Sequence, residues 1–498
     1  MSELVENKME GLQVADEQQA PPALPDRPPP GEEGKDDGEP PAPVFDWMPE
    51  GCTPLADGEY DVIICGTGMK ECMLAGLLCK MGRKTLHVDR NGYYGGESAS
   101  LNLSNLYKKF KPNEEPPAFL GQDRDYNVDL IPKFIMANGD LVRILIHTGV
   151  NHYLEFRHVD GSYVLKNGKI LKVPATPEEA LKSSLMGMFE KRRFRKFLIY
   201  VSDFTEETAS TGGGVDATRA NMRQVFEHFG LDENTMSFIG HAMALQRSDA
   251  YLDEPAVPTL KAIQLYCFSL ERYGRSPYIY PMWGLGGLPE GFSRMAAINE
   301  GTFILNCPVD EVLFDGAGKA WGIRAGAEVA KAPVIIGDPS YFAPEKVRAT
   351  GRVVRSICFL DRPIPGTQDR QSVQLILPAR QTGRQTDIYV CMVSKAHEVC
   401  KEGIYVAIAS TVVETNDPVS ELAPAFDLLP PVIQRFDSIV DSCEPVNDWN
   451  ADGCFITSTY DETSHFQTAV ADVYSLFEKI TGSPLDLASI DPASVSEF

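Results

Sequence analysis

The pattern of apolar and polar residues that follows Tyr60 predicts a strand, a helix and a second strand. Residues 61–65 form a short apolar, β-branched run, which is typical of a buried parallel strand. Apolar residues then recur at helical spacing through 71–81, and a second strand-like run over 84–88 ends at Asp89. A strand, a helix and a strand in that order begin a βαβ unit.

The pattern becomes helical between residues 174 and 266 and returns to strands after Pro281. Amphipathic or apolar helices are predicted over 178–188, 191–201, 222–229, 234–243 and 258–270. Later strands are predicted over 304–305, 311–314, 320–323, 333–337, 353–360, 373–377 and 387–392. We therefore predict a discontinuous α/β domain made of residues 58–173 and 271–480, interrupted by a helical domain over 174–270.

The two ends of the chain differ in composition from the rest. Residues 1–57 contain 11 of the 36 prolines and far more acidic than basic residues. Such a segment buries too little apolar surface to form a core, so we predict a disordered tail over 1–57. Residues 481–498 are predicted to form a C-terminal tail.

Charge and residue counts narrow the class of function. The 498 residues carry a net charge of −24, which disfavours general nucleic-acid binding because phosphate contacts need a basic surface. No run approaches 18 apolar residues, so no transmembrane helix is expected. The 11 cysteines form no Cys-x-x-Cys pair and the 8 histidines show no metal-ligand spacing, so we expect a cytoplasmic protein without a metal site. Phosphate-loop and hydrolase motifs are absent, which favours a binding protein over an enzyme.

A glycine turn after the first strand matches most of a dinucleotide-binding fingerprint. Gly66 and Gly68 follow the strand, and Asp89 stands where the fingerprint acid holds a ribose hydroxyl. The third glycine position holds Glu71, whose carboxylate would take the place of a phosphate at the helix N-terminus and repel one. Three interpretations stay open: a nucleotide site replaced by an internal acid, a degenerate site that still binds flavin, or a chance match.

The segment over 89–98 presents two adjacent tyrosines in a glycine-rich loop. Tyr93 and Tyr94 offer large, rigid contact area, which suits a protein interface. This segment resembles the first conserved region of the Rab GDP dissociation inhibitor family, which also contains the Rab escort proteins. Further segments similar to the family lie in order at 125–133, 167–174, 185–197, 251–255 and 272–292. The resemblance covers residues 58–480, and the lack of long insertions favours the inhibitors over the escort proteins.

The resemblance implies a flavoprotein-like, Rossmann-type α/β fold that carries no cofactor, with the helical insert as a lipid-binding domain. It implies a monomer that binds GDP-bound, geranylgeranylated Rab GTPases in 1:1 complexes, slows GDP release and extracts Rabs from membranes for recycling in vesicle traffic. Such a protein would be cytoplasmic and cycle to membranes by transient contact. The alternatives are an escort protein that presents Rabs for geranylgeranylation and, in a different class, an FAD-dependent oxidoreductase.

The resemblance also assigns three groups of site residues. The predicted Rab-binding platform is Tyr94, Arg124, Gly287, Glu290, Arg294, Thr302 and Ile304. Within it, Gly287 and Ile304 replace a family glutamate and methionine, Gln122 replaces a nearby arginine, and Glu290 is the candidate substitute acid. The predicted mobile effector loop, implicated in membrane recruitment, is Arg272, Tyr273, Gly274, Arg275, Ser276 and Pro277. The candidate prenyl pocket, with ordinary helix packing as the alternative, is Leu185, Met186, Met188, Phe189 and Phe197.

Overall fold

The computed structural model describes residues 45–492 as strands and helices joined by short turns. The strands in chain order are β1 (Thr53–Glu59), β2 (Val62–Cys65), β3 (Thr85–Val88), β4 (Ser100–Leu101), β5 (Val128–Asp129), β6 (Ile135–Met136), β7 (Phe156–His158), β8 (Gly161–Lys166), β9 (Lys169–Lys172), β10 (Tyr278–Pro281), β11 (Thr302–Ile304), β12 (Glu311–Phe314), β13 (Ala320–Ala325), β14 (Glu328–Lys331), β15 (Val334–Gly337), β16 (Val347–Leu360), β17 (Val373–Leu377), β18 (Ile388–Ser394), β19 (Tyr405–Val412), β20 (Val432–Pro445) and β21 (Cys454–Ile456).

The helices in chain order are α1 (Met69–Lys80), α2 (Leu103–Phe110), α3 (Asp140–Thr148), α4 (Pro177–Lys182), α5 (Met188–Ser202), α6 (Met222–His228), α7 (Glu233–Phe238), α8 (Ala256–Tyr273), α9 (Gly287–Ile298), α10 (Ala379–Thr382), α11 (Ala423–Phe426), α12 (Trp449–Asp452) and α13 (Gln467–Thr481).

A parallel sheet forms the centre of the fold, with strand order β11-β3-β2-β15-β21. The residues of β2 and β3 are all buried, and β2 is accordingly a continuous apolar run instead of an alternating pattern, whereas β3 also buries Thr85 and His87. Helix α1 connects β2 to β3, is buried from Met69 to Cys79, and packs against α9 and α13. The predicted strand, helix and strand are therefore confirmed.

A second, larger sheet has the order β20-β16-β19-β18-β17-β8-β9. Its neighbours are antiparallel except for β17 and β8, which run parallel. A four-stranded sheet, β1-β14-β13-β12, contains the hairpin predicted at 315–318. There the Gly318 amide donates to the Asp315 carbonyl at 3.0 Å, and Gly318 has a φ of +82°.

The segment between Lys172 and Tyr278, described throughout, contains the helices α4 to α8 and no strand. Its core is aromatic: the Phe197 ring lies 5.3 Å from the Phe226 ring and 5.6 Å from the Phe229 ring. The helix predicted over 178–188 is shorter, because α4 ends at Lys182 and α5 begins after Gly187. The division into two domains at 174 and 270 stays a prediction.

The predicted boundary of the N-terminal tail at residue 57 is wrong. Strand β1 starts at Thr53 and pairs in parallel with β14. Before it, the Trp47 ring stacks on Phe45 at 5.1 Å and meets the edge of Trp321 at 6.0 Å. These aromatic contacts attach the segment to the fold, although its acidic composition predicts a tail. Residues 1–44 of the predicted tail lie outside the described residues. At the other end Leu487 is buried, and residues 493–498 lie outside the described residues.

Candidate functional site

The glycine turn that follows β2 leads directly into α1. Gly66 has a φ of +96°, a conformation that side chains other than glycine rarely adopt. Gly68 is the extended residue before the first turn of α1, so the free amides of that turn point towards the turn's cleft. This is the end of a parallel sheet at which nucleotide phosphates bind in doubly wound folds.

Asp89, at the end of β3, is fully occupied by the chain itself. One carboxylate oxygen accepts from the amide and the hydroxyl of Thr67, each at 2.6 Å. The other accepts from the amide of Asn91 at 2.7 Å and from its side-chain Nδ2 at 2.9 Å. A carboxylate has about four acceptor positions, so none is left for a ribose hydroxyl.

Glu71 occupies the N-terminal end of α1. Its side chain is buried, and one oxygen accepts from the Thr457 hydroxyl at 2.7 Å. The other lies so close over Gly68 that a Cβ there would overlap it. Burial, together with the nearby Asp338 carboxylate, raises the pKa of Glu71 to about 7 against the opposing influence of Lys70. The acid fills the position that a phosphate would need, so the residues present do not fit the pyrophosphate and ribose of a dinucleotide.

A second, open cleft of about 880 Å³ lies between the tyrosine loop after β3 and helix α9. We call it the platform cleft, and the side chains in its wall that carry its chemistry are Tyr93, Tyr94, Lys108, Lys109, Tyr153, Trp283, Glu290 and Arg294. Tyr93 and Trp283 are about half exposed, at 44% and 51%. Exposed aromatic rings beside charged groups are typical of protein-binding surfaces.

A buried polar network holds the start of α9 against the strand pair β4–β5. Asp129 accepts from the Leu285 amide at 2.8 Å, from the Ser100 hydroxyl and from the Tyr280 hydroxyl. The Ser100 hydroxyl also accepts from the Gly286 amide at 2.8 Å. Burial raises the pKa of Asp129 to about 7. The network fixes the loop that leads into α9 and thereby the position of the platform side chains on it.

Four of the predicted platform residues converge on this cleft. Tyr94, Gly287, Glu290 and Arg294 all line it. Partial burial raises the pKa of the Tyr94 hydroxyl, and the negative charge of Glu290 raises it further. A Cβ on Gly287 would lie 3.1 Å from Leu154 Cδ2, which is the movable end of a flexible side chain.

The other three predicted platform residues lie outside the cleft wall. Thr302 and Ile304 lie on β11, the edge strand beside β3, where the Ile304 carbonyl accepts from the Asp89 amide at 3.0 Å. Between them, the Phe303 ring lies 6.1 Å from the Tyr94 ring. Arg124 is exposed in a short 3₁₀ turn over 123–125. Their role in binding stays a prediction.

Sequence reasoning missed two aromatic residues of the cleft. The Arg294 guanidinium lies 4.7 Å from the centre of the Tyr153 ring, which holds the arginine over the cleft by a cation–π contact. Trp283 has a φ of +63° and its amide donates to the His397 carbonyl at 2.9 Å. Trp283 lies within the segment over 272–292 that resembles the family, which was a usable signal, whereas nothing in the local pattern marks Tyr153.

Comparison with known proteins gives one consistent family. Residues 56–492 match the family described as GDI, GDP dissociation inhibitor. The chain belongs to this family. It is 52% identical over 431 residues to the probable secretory pathway GDP dissociation inhibitor 1 of Schizosaccharomyces pombe, covering 86% of the chain and 98% of that relative. It is 51% identical over 437 residues to the Rab GDP-dissociation inhibitor of Saccharomyces cerevisiae, covering 86% and 97%.

Solved structures agree with this membership. A Rab GDI from Plasmodium falciparum superposes with a TM-score of 0.83 at 46% identity, covering 86% of this chain and 99% of that one. An oxidoreductase from Methanosarcina mazei superposes with a TM-score of 0.53 at 16% identity, covering 84% and 100%, which shows a shared fold alone. The predicted flavoprotein-like, Rossmann-type α/β fold is confirmed.

Over residues 45–492, no helix is both long and apolar enough to cross a membrane. In the same range, no group of three or more His, Cys, Asp or Glu side chains is arranged to hold a metal ion.

The predicted effector loop of the family leads from α8 into β10. Helix α8 ends at Tyr273, and Gly274 follows in the left-handed region with a φ of +65°. Ser276 and Pro277 are buried, and the Ser276 hydroxyl donates to the Val159 carbonyl at 2.6 Å. The second half of the loop is thus part of the core.

The two arginines of this loop differ in exposure. Arg272 donates to the Ala137 carbonyl at 2.8 Å and is partly buried. Arg275 is about half exposed, and its guanidinium lies 3.6 Å from the Asp160 carboxylate. Arg275 is therefore the better placed of the two to meet a partner, while the mobility of the loop and its role at membranes stay predictions.

The five residues predicted for a prenyl pocket are not brought together. Leu185 and Phe197 are buried and Met186 is half-buried, but Met188 and Phe189 are 85% and 81% exposed. The single pocket predicted from these residues is therefore not formed in this structure.

The register of α5 explains this outcome. Glu190 takes the inward position of its first turn, where it accepts from the Asp232 amide at 2.8 Å and from Arg193 at 3.2 Å. With Glu190 inward, Phe194 and Phe197 face the core and Phe189 faces solvent. Phe189, a candidate for the prenyl pocket, is therefore exposed, because a paired acid and not an aromatic ring is buried at the start of the helix.

Proposed function

We propose that this protein binds GDP-bound, geranylgeranylated Rab GTPases in 1:1 complexes, slows their release of GDP and extracts them from membranes. The observation that carries the proposal is the convergence of Tyr94, Glu290 and Arg294 on one open cleft in a chain of the GDP dissociation inhibitor family. The relatives whose names include Rab GDP-dissociation inhibitor support Rab GTPases as the partners.

We assign the contact chemistry of the cleft as follows. Tyr94 is a rigid aromatic group of the kind that dominates interface energies. Arg294 is already oriented by Tyr153, so less side-chain entropy is lost when a partner binds. Glu290 supplies the acid that the family carries at the position of Gly287, from the same helix and the same cleft wall. Arg124, Thr302 and Ile304 would contact the edge of the partner.

Slow GDP release follows if the cleft holds the partner in its GDP-bound conformation. A ligand shifts an equilibrium only by its differential affinity for the two states. The same differential affinity would spare the GTP-bound form, so that only inactive Rab leaves the membrane.

We infer that the prenyl chains are sheltered within the helical segment over 174–270. Each buried methylene contributes about 0.8 kcal/mol, so a 20-carbon chain provides several kcal/mol to compete with the bilayer. Leu185, Met186 and Phe197 remain candidates for this shelter. Because Phe197 packs in an aromatic cluster with Phe226 and Phe229, that cluster would have to open to admit a chain.

The test is extraction of a geranylgeranylated Rab from liposomes, followed by its GDP release rate in solution. We expect the GDP-bound Rab to appear in the supernatant with the purified protein and to lose GDP more slowly than free Rab. The GTP-bound Rab is the matched control and should stay on the liposomes. Failure to extract either form would refute the proposal, and support of geranylgeranylation of unmodified Rab would favour an escort protein instead.

A further inference from the structure

The outer face of helix α5 carries large apolar side chains in contact with solvent. Met188 and Phe189 are 85% and 81% exposed, and Ile199 is 53% exposed. Their exposure does not result from poor packing of the helix, because Glu190, Phe194 and Phe197 on the opposite face are all buried. An exposed apolar group of this size on a soluble domain marks an interaction surface.

Helix α5 also carries a dense cluster of positively charged side chains. Its basic residues, five within six consecutive positions, are Lys191, Arg192, Arg193, Arg195 and Lys196. The whole chain has a net charge of −24, so this cluster stands against a negative background. Glu190 offsets part of it, since it is buried and paired with Arg193 at 3.2 Å.

The apolar and basic side chains share one face. Met188, Arg192, Arg195 and Ile199 follow one another at spacings of four, three and four residues, which places them on a single ridge. Arg192 and Arg195 are exposed. Phe189 lies on the flank of this ridge. An exposed face that combines large apolar groups with cations can contact both the acyl-chain boundary and the anionic headgroups of a lipid bilayer.

We propose that this face of α5 docks on the surface of an anionic lipid bilayer. Met188 and Phe189 enter the boundary between headgroups and acyl chains, and Arg192 and Arg195 contact the headgroup phosphates. The negative charge of the rest of the chain is repelled by the same surface, so the cluster orients the protein as well as attracting it. The proposal rests on the proposed function, because extraction of a Rab requires the protein to meet the membrane that holds it.

The experiment is co-sedimentation of the full chain, without any Rab, with vesicles of phosphatidylcholine containing about one-third phosphatidylserine. We expect binding to these vesicles and little binding to pure phosphatidylcholine. Arg192→Gln combined with Arg195→Gln should weaken binding more than tenfold, at about fivefold for each cation. Met188→Ser combined with Phe189→Ser should weaken binding at every salt concentration, whereas the effect of the arginines should fade at high salt.

Matched control variants lie elsewhere on the surface. Arg219→Gln removes an arginine that is 88% exposed, and Phe119→Ser removes a phenylalanine that is 55% exposed. Both should bind the vesicles as the unmodified protein does. All the substituted side chains are exposed, so thermal unfolding should be nearly unchanged in every variant.

Two outcomes would overturn the proposal. Vesicle binding that is unchanged in both α5 double variants would place the membrane contact elsewhere. Absence of vesicle binding by the unmodified protein would make the face a contact for another protein. A second measurement separates failure of the membrane proposal from failure of the proposed function: the rate of GDP release from a geranylgeranylated Rab held in detergent solution. If the protein still slows this release, only the membrane proposal fails.

Discussion

The glycine turn and the platform cleft share Tyr93 and Lys109 in their walls, yet the chain uses its polar groups in opposite ways in the two places. Around the turn, Asp89 and Glu71 are bound by the protein's own hydroxyl and amide groups. Around the cleft, Trp283 and Arg294 are exposed and held in position from behind. At the glycine turn the protein's own side chains fill the positions that a nucleotide would need, while the neighbouring cleft keeps rigid side chains exposed for a partner.

Removing the exposed contact side chains of the platform cleft should cause the largest loss of Rab affinity. Tyr94→Ala combined with Arg294→Ala should weaken Rab binding by at least 2 kcal/mol, or about thirtyfold, because aromatic and arginine side chains dominate interface energies. The measurement is the affinity for a GDP-bound, geranylgeranylated Rab by titration calorimetry. Phe119→Ala, an exposed aromatic outside the cleft, is the control and should bind normally. Normal binding by the double variant would show that the platform cleft does not contact the Rab.

Loss of the support behind the cleft should have a smaller effect. Asp129→Ala leaves the Leu285 amide and the hydroxyls of Ser100 and Tyr280 without their acceptor, so it should lower the free energy of unfolding by about 2–3 kcal/mol. Urea unfolding measures this change, and Rab affinity should fall with it as the start of α9 loosens. Asp129→Asn keeps one of the two acceptor oxygens, which can still accept from the Leu285 amide and the Ser100 hydroxyl, so it should be milder. Equal stability of all three proteins would show that the network does not hold the helix.

We expect the contribution of Glu71, in the glycine turn, to the free energy of unfolding to depend on pH. Burial raises the folded pKa of Glu71 from 4.5 to about 7. Between these values the folded state binds a proton that the unfolded state does not, so this contribution to stability is present at low pH and is lost as pH rises through about 7. Glu71→Gln cannot ionise, so its stability relative to the unmodified protein should increase from pH 6 to pH 8, by at most about 1.4 kcal/mol per pH unit.

Urea unfolding of both proteins across that range measures this difference. Other groups titrate in both proteins and cancel in the comparison. Parallel stability profiles would mean that Glu71 is ionised throughout the range and is not held in a closed, poorly solvated turn.

The smallest effect should come from restoring a family feature to the open cleft. Gly287→Glu adds a carboxylate one turn before Glu290, and Leu154 can move to admit it because only its flexible end lies close, at 3.1 Å. We expect Rab affinity to rise by less than about tenfold, since Glu290 already supplies an acid. Gly287→Gln tests whether the charge is responsible. A loss of affinity in both variants would mean that the cleft needs glycine here for space.

Several strands could be predicted from the sequence because the pattern that identifies each of them lies within the strand itself. The runs that form β2 and β15 are buried on both faces of the sheet, so their apolar character is continuous and visible in the sequence. The N-terminal boundary was wrong because Trp47, which stacks on Phe45, packs against Trp321, a residue far along the chain. Burial created by distant contacts leaves no periodic pattern in a short segment.

The site was only partly predictable for the same reason. Tyr94, Glu290 and Arg294 followed from the resemblance, and the role of Glu71 followed from the electrostatics of a helix terminus. Tyr153 and the Asp129 network depend on strands and helices that meet only in the folded protein. The exposure of Phe189 could not be predicted, because periodicity alone does not identify Glu190 as the inward residue of α5.

Hydrogen exchange of the protein with and without a GDP-bound, geranylgeranylated Rab tests the contrast between the two sites most directly. We expect slower exchange over the tyrosine loop at 93–101 and over α9, with exchange at 62–72 unchanged. Slower exchange at the turn over 62–72 without any change at the cleft would contradict this expectation, because the partner would then bind at the turn that Asp89 and Glu71 fill and not at the platform cleft.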